Sequence, residues 1–175
     1  TCAPDMAHWG CSNNNGWHYM YKNVGGQYLP LDYYGADAAI AWQRNAYAFD
    51  PAVMNEMLFI NRTQCFTGEN GSKPVYAYQA QRGGQVELSV STHGQNSMQM
   101  EIFRNSELLK TVNFTTEGPD AGYATTKLTV DVKEGTWIYL VISATGADRE
   151  AWVKDYSVTY LSVNDEKEEI SEQLI

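Results

Sequence analysis

Histidine is scarce in this sequence, and the motifs that carry most catalytic chemistry are missing. The chain has 175 residues and three histidines, His8, His18 and His93, none of which stands in an HxH or HExxH spacing. It contains no GxSxG elbow and no GxxxxGK loop. Metalloprotease, serine hydrolase and phosphate-binding chemistry all depend on such spacings. Their absence argues against an enzyme of these classes and against a catalytic metal.

Cysteine is equally sparse, with Cys2, Cys11 and Cys65 all in the first half of the chain. No CxxC pair is present, so the zinc-binding pattern of paired cysteines is excluded. An odd count leaves at least one thiol unpaired. Two pairings stay open. Cys2 with Cys11 would clip the N-terminal arm, and Cys11 with Cys65 would tie that arm to the body.

Positive charge is also low, with 12 Lys and Arg against 21 Asp and Glu, a net charge of −9. Part of the excess lies in residues 164–175, where five acidic residues face Lys167 alone. An acidic surface repels phosphate, so we expect no nucleic-acid partner and no binding to an anionic membrane. No apolar run approaches the roughly 20 residues that span a bilayer, which predicts no membrane insertion. Residues 164–175 are predicted to be an acidic tail or linker.

Aromatic residues and glycine are plentiful, with 12 Tyr, 5 Trp, 5 Phe and 14 Gly. The clearest strand pattern begins at Trp137. Because successive side chains of a strand point to opposite faces, Ile138, Leu140 and Ile142 form an aliphatic face opposite Trp137 and Tyr139. The aliphatic face predicts core. The ring-bearing face must meet either another layer or a ligand.

Similar patterns predict an all-β protein, an antiparallel β-sandwich with no βαβ rhythm. Residues 1–163 are expected to form this single module, with an irregular N-terminal arm and one Ala-rich loop or short-helix insert. The insert covers residues 35–57, and its helix would follow Asp50-Pro51. The predicted strands are 17–22, 28–34, 57–61, 75–80, 86–91, 98–104, 109–114, 128–132, 137–143 and 156–163.

Four segments resemble the jelly-roll β-sandwich modules of carbohydrate-binding type found in bacterial cell-surface and carbohydrate-active proteins. They are the opening Trp-x-Tyr strand at 16–21, a strand and turn at 75–86, a strand end at 102–106 and the segment 132–142. Thr136 and Ser106 depart from the residues usual at those positions, Asp and Gly. The resemblance implies non-catalytic glycan binding. It also implies that structural calcium is possible, for which Asp120, Asp148 and Asp155 could supply oxygen ligands.

Exposed aromatic rings with polar neighbours are the candidate ligand-binding groups. The apolar C–H face of a sugar stacks on a flat ring, while amides and charged groups bond its hydroxyls. Trp152 and Arg149 fall in a segment read as a charged loop, and Trp42 precedes a run of polar residues. The predicted carbohydrate-binding residues are Trp9, Tyr33, Tyr34, Trp42, Trp137, Trp152 and Arg149.

We therefore expect a module that binds a polysaccharide without cleaving it, with a starch-like α-glucan ahead of plant cell-wall β-glycans and mucin glycans. It would act as a monomeric unit of a longer extracellular or cell-surface bacterial protein. A protein-interaction or adhesion module is the alternative. A glycoside hydrolase or lyase ranks third, because no two carboxylates can be placed from the sequence at the separations of about 5–9 Å that glycoside hydrolysis requires.

Overall fold

Thirteen β-strands make up the part of the chain that the computed structural model describes, which is residues 15–31, 33–35, 46–48, 58–61, 64–68, 70–94, 98–114, 122–146 and 149–164. These ranges contain no helix, and hence none able to cross a bilayer. The strands are β1 Trp17–Lys22, β2 Tyr28–Pro30, β3 Tyr33–Gly35, β4 Ala46–Ala48, β5 Phe59–Ile60, β6 Gln64–Phe66, β7 Lys73–Gln79, β8 Gly84–Gly94, β9 Met98–Arg104, β10 Glu107–Asn113, β11 Ala124–Val132, β12 Trp137–Ala144 and β13 Glu150–Val163.

The strands form two antiparallel sheets. A six-stranded sheet has the order β10-β9-β12-β7-β1-β2, and a seven-stranded sheet has the order β11-β8-β13-β6-β5-β4-β3. Every pairing within the two sheets is antiparallel. The predicted all-β antiparallel sandwich is confirmed.

The main core lies between the two sheets and follows the alternation of the strands. Ile138, Leu140 and Ile142 are fully buried in it, which confirms the aliphatic face predicted for β12. The opening strand β1 directs Trp17 and Tyr19 into the same core, with exposures of 0% and 2%. Burying one large apolar side chain contributes about 1.5–3 kcal/mol, so this layer is the main source of stability.

A group of tyrosine hydroxyls and one thiol lies inside this core. The hydroxyls of Tyr19 and Tyr156 are 2.8 Å apart and hydrogen-bonded, and Tyr76 packs edge-on against both rings. Cys65 is a buried free thiol, and its burial raises its pKa to about 12. The alternative pairing of Cys11 with Cys65 is therefore wrong. Cys2 and Cys11 lie outside the described residues.

Several predicted element boundaries need correction. Trp152 lies within β13, which begins at Glu150, and not in a loop. The predicted strand 28–34 is two strands, because β2 ends at Pro30 on the edge of the six-stranded sheet while β3 belongs to the other sheet. Strand β4 lies within the insert 35–57 that was predicted to be a loop or short helix, so the prediction is wrong at residues 46–48, and β6 had no sequence prediction. The helix expected after Pro51 and the tail from 165 onward lie outside the described residues.

Candidate functional site

The structure describes the side chains of three of the seven predicted site residues: Trp137, Trp152 and Arg149. Tyr33 and Tyr34 lie in β3, at the edge of the seven-stranded sheet, and their backbones pair with Ala48 and Tyr47. Trp9 and Trp42 fall outside the described residues. The binding roles of all seven residues stay predictions.

Trp137 ends a stack of three parallel rings on the outer face of the six-stranded sheet. The rings of Tyr28 and Tyr139 are stacked with centroids 3.8 Å apart and planes 7° apart. Trp137 continues the stack at 5.6 Å from Tyr139, again within 7° of parallel. Beneath them, Val75, Ala77 and Val141 form a small second apolar cluster. We call Tyr28, Tyr139 and Trp137 the Trp137 wall.

Side chains from β1 and β9 border this wall. His18 packs edge-on against Trp137, with centroids 5.0 Å apart and planes 64° apart. Its Nε2 atom is buried, and this desolvation lowers the pKa of the imidazole. The ammonium of Lys22 lies 5.1 Å from the ring centre of Tyr28 and 4.5 Å from that of Phe103. These cation–π contacts place one positive charge beside the wall.

The turn between β11 and β12 fixes the start of the strand that carries Trp137. The Thr136 hydroxyl accepts a hydrogen bond from the Lys133 amide at 2.9 Å, and the Gly135 amide donates to the Ala80 carbonyl at 2.8 Å. Gly135 has φ 86°, a left-handed conformation that suits glycine. Asn105 contacts Trp137 twice, because its side-chain Oδ1 accepts from the Trp137 amide and its own amide donates to the Trp137 carbonyl.

Two polar clefts open on either side of this turn. The larger has a volume of about 570 Å³, and Arg104, Asn105, Asp131 and Lys133 are among its lining residues. The smaller has a volume of about 380 Å³ and is lined by Gly16, Gln79, Ala80, Gln81, Glu134 and Gly135. Trp137 itself lines neither cleft, but it lies opposite Gln79 on the neighbouring strand, and its backbone amide donates to Asn105, so its strand position adjoins one amide side chain from each cleft.

Trp152 belongs to a different cluster, on the outer face of the seven-stranded sheet. It lies directly opposite His93 across β13 and β8, with ring centroids 5.2 Å apart. Tyr123 lies 5.6 Å from His93 on the other side, and the Lys154 ammonium is 3.8 Å from the centre of the Tyr123 ring. We call His93, Tyr123, Trp152 and Lys154 the Trp152 patch.

Arg149 contributes a structural contact near this patch. Its guanidinium donates two hydrogen bonds to the Thr67 carbonyl, from Nε at 3.1 Å and Nη2 at 2.9 Å. The Thr67 amide donates in return to the Arg149 carbonyl. These bonds fix the chain after β6 to the start of β13. Beside them, partial burial raises the pKa of Glu150, and a hydrogen bond from Gln64 offsets part of that rise.

Sequence reasoning did not single out most of the partners of the two tryptophans. Tyr139 was visible as a ring on the same strand face as Trp137. By contrast, Tyr28 and His18 reach Trp137 and Tyr139 from β2 and β1, through pairings that join distant parts of the chain. The described residues contain no group of three or more His, Cys, Asp and Glu side chains able to hold a metal ion. Asp155 is exposed at a β-bulge, while Asp120 and Asp148 lie outside the description.

No protein-family model and no curated protein sequence matches the chain. Similar solved structures include a family 35 carbohydrate-binding module from an environmental isolate, with 19% identity, 57% of this chain and 82% of that chain covered, and a TM-score of 0.35. Another is the C-terminal family 6 module of a laminarinase from Zobellia galactanivorans, with 15% identity, 57% and 89% coverage, and a TM-score of 0.35.

A β-glucosidase from Kluyveromyces marxianus in complex with glucose is also similar, with 16% identity, 97% of this chain but 18% of that chain covered, and a TM-score of 0.40. The structures that this chain is similar to thus include modules of the type that its motifs resemble. Identities of 15–19% and TM-scores of 0.35–0.40 do not identify a ligand for this chain.

Proposed function

We propose that this chain is a non-catalytic polysaccharide-binding module that binds its ligand at Trp137 and attaches a larger extracellular or cell-surface bacterial protein to glycan. The supporting observation is the Trp137 wall, whose last residue follows directly on the turn that lines two polar clefts. A sugar needs an apolar ring for its C–H face and hydrogen-bonding groups for its hydroxyls. Trp137 supplies the first, and Gln79, Asn105 and their neighbours supply the second.

Binding without cleavage is supported by the acids that line the clefts. The described lining of the larger cleft contains a single carboxylate, Asp131, and that of the smaller cleft contains Glu134. Glycoside hydrolysis uses two carboxyl groups that face each other across the same bond. The Lys133–Thr136 turn, which supplies lining residues to both clefts, separates these two acids. The polar lining therefore suits hydrogen bonding to hydroxyls better than proton transfer.

A starch-like α-glucan is the first ligand to test, because a curved α-glucan can be bound by a few aromatic rings with hydrogen-bonding groups between them. Micromolar or weaker affinity is expected for a site of this size, since a handful of contacts must exceed the cost of immobilising the sugar. Native affinity electrophoresis through gels containing amylopectin, laminarin, xylan or β-1,4-galactan compares the candidates directly. Retention should be strongest on amylopectin.

Replacing Trp137 with alanine should weaken retention by about tenfold or more, the change in binding that about 1.4 kcal/mol produces. Trp137→Phe keeps a flat ring and should retain part of the affinity. Leu161→Ala removes a 54% exposed side chain elsewhere on the surface and should change nothing. Equal retention of Trp137→Ala and the original protein would refute this site. Retention of the original protein on none of the gels would favour the protein-interaction alternative, and release of reducing ends would favour an enzyme.

A further inference from the structure

The outer face of the seven-stranded sheet changes character along its length. At one end the outward side chains are polar, namely Gln85, Glu87, Ser89 and Ser91 on β8 and Ser157 and Thr159 on β13. The Ser91 hydroxyl is hydrogen-bonded to that of Thr125 on β11. This is the water-facing pattern expected of an antiparallel sheet. At the other end the same rows continue into His93 and Trp152, with Tyr123 beside them. Trp152 and Tyr123 stay partly exposed there, so some aromatic surface is open to a ligand at the end of an otherwise polar face.

His93 is the most buried member of the Trp152 patch. Its side chain is 5% exposed although it points away from the main core, and its Nδ1 atom has no hydrogen-bond partner among the residues that the structure describes. Buried polar atoms normally have a partner, and this one is itself closed to solvent, so a ligand hydroxyl reaches it only when one of the partly exposed rings of the patch moves aside. Gln64, opposite Trp152 on β6, adds an amide on the same face.

The Trp152 patch and the Trp137 wall are too far apart to bind one short segment. Gly84, at the first end of β8, lines the larger cleft beside the Trp137 turn, while His93 lies nine residues further along the same strand. Nine residues of extended strand span about 30 Å. The two tryptophans also lie on opposite outer faces of the sandwich, because each is on the outer side of a different sheet.

We infer that the Trp152 patch is a second, independent glycan site, and that the module therefore bridges two polysaccharide chains. The inference rests on the proposed function, since it extends sugar binding from Trp137 to a second surface. The ligand class is the same neutral polysaccharide. Its pyranose rings would stack on Trp152, and the Gln64 amide would bond their hydroxyls. The site requires no charge on the sugar, although Lys154 lies nearby.

Nuclear magnetic resonance titration of the whole chain with maltoheptaose tests this directly, with laminarihexaose as the probe if laminarin retains the protein. The indole N–H signals of Trp137 and Trp152 should both shift, and they are assigned from Trp137→Ala and Trp152→Ala. In each single variant the remaining tryptophan should shift with its dissociation constant unchanged. Trp152→Tyr keeps a ring and should keep the second site. Circular dichroism confirms that each variant is folded.

Bridging of two polysaccharide chains by one protein can be measured separately, as turbidity. The original protein should make an amylopectin solution turbid, and either single alanine variant should abolish the turbidity while still binding. A shift of the Trp137 signal alone, with binding and turbidity unaffected by Trp152→Ala, would overturn the second site and leave the proposed function standing. A shift of the Trp152 signal alone would overturn both the two-site inference and the site at Trp137. The absence of any shift, together with no retention on any gel, would instead reject sugar binding itself.

Discussion

Asn105 sets the position of Trp137 through two hydrogen bonds while itself adopting φ 51°. Asn105→Ala should lose the side-chain bond, which contributes about 1 kcal/mol, and should force alanine into the left-handed region at a further cost of about 1–2 kcal/mol. Asn105→Gly loses the bond without the conformational cost. Urea unfolding should therefore rank the original protein above the glycine variant and the alanine variant lowest. Equal loss in both variants would show that the backbone conformation contributes nothing.

His18 should make stability depend on pH. Burial lowers the pKa of its imidazole below the ordinary 6.5, so the folded state binds a proton less readily than the unfolded chain. Stability from the neutral ring is complete above about pH 6.5 and decreases as the pH falls toward the folded pKa, because the unfolded state takes up the proton first.

The melting temperature of the original protein should thus fall more between pH 7.5 and pH 5.5 than that of His18→Gln. Comparing the two proteins cancels the pH effects of the titrating groups that they share. One of these is Glu150, whose raised pKa makes stability increase as the pH falls. A nuclear magnetic resonance titration of the His18 ring should give a midpoint below 6.5. Parallel melting curves at all pH values would contradict the assignment to His18.

At the scale of the element, the first residue of β8 must be glycine because β13 passes very close to it. A Cβ on Gly84 would collide with the Ser162 carbonyl and lie 3.1 Å from the Cα of Val163. Gly84→Ala should destabilise the protein by about 1–3 kcal/mol, since backbone atoms cannot move aside as a flexible side chain can.

The adjacent Gly83 provides a matched control. A Cβ there would meet Asn164 Nδ2 and the Val132 carbonyl at 3.5 Å, which is ordinary contact. Gly83→Ala should leave stability unchanged or raise it by up to about 1 kcal/mol, because alanine reduces the freedom of the unfolded chain. Denaturation midpoints in urea measure the stability of both variants, Gly84→Ala and Gly83→Ala. A similar loss in the two variants would mean that close approach of β13 is not what requires glycine at position 84.

Local alternation made the long strands predictable and left the short ones unpredicted. Strands β1 and β9 alternate buried with partly buried residues over most of their length, and their predicted bounds match the observed ones. Strands β4 and β6 have three residues each, too few for a pattern to stand out from a loop. The charged residues 148–150 suggested a loop around Trp152, yet pairing with β8 and β6 extends β13 through that residue.

At the scale of the whole molecule, the class of fold followed from composition and alternation, but the site did not. The sequence shows that Trp137 and Tyr139 share a strand face. It does not show that Tyr28 reaches across β1 and β7 to stack on Tyr139, because that depends on strand order. Strand order also separates Trp152 from Trp137. Long-range pairing therefore decides which of the predicted aromatic residues can act together.

The overall charge provides the last test of what the module binds. Stacking on Trp137 and hydrogen bonds to hydroxyls carry no net charge, so the affinity for a neutral glycan should be the same in 50 mM and 500 mM NaCl, although the chain carries a net charge of −9. The attraction between exposed charges decays over a screening length of about 10 Å at 0.1 M salt, and over a shorter length at higher salt. Any ionic contact with the ligand would therefore weaken between the two NaCl concentrations. Surface-immobilised amylopectin and laminarin, measured at both concentrations, provide the comparison. A tenfold loss of affinity at high salt would mean that Lys22 or Lys154 binds an anionic group, and that the ligand is an acidic glycan or a charged protein partner.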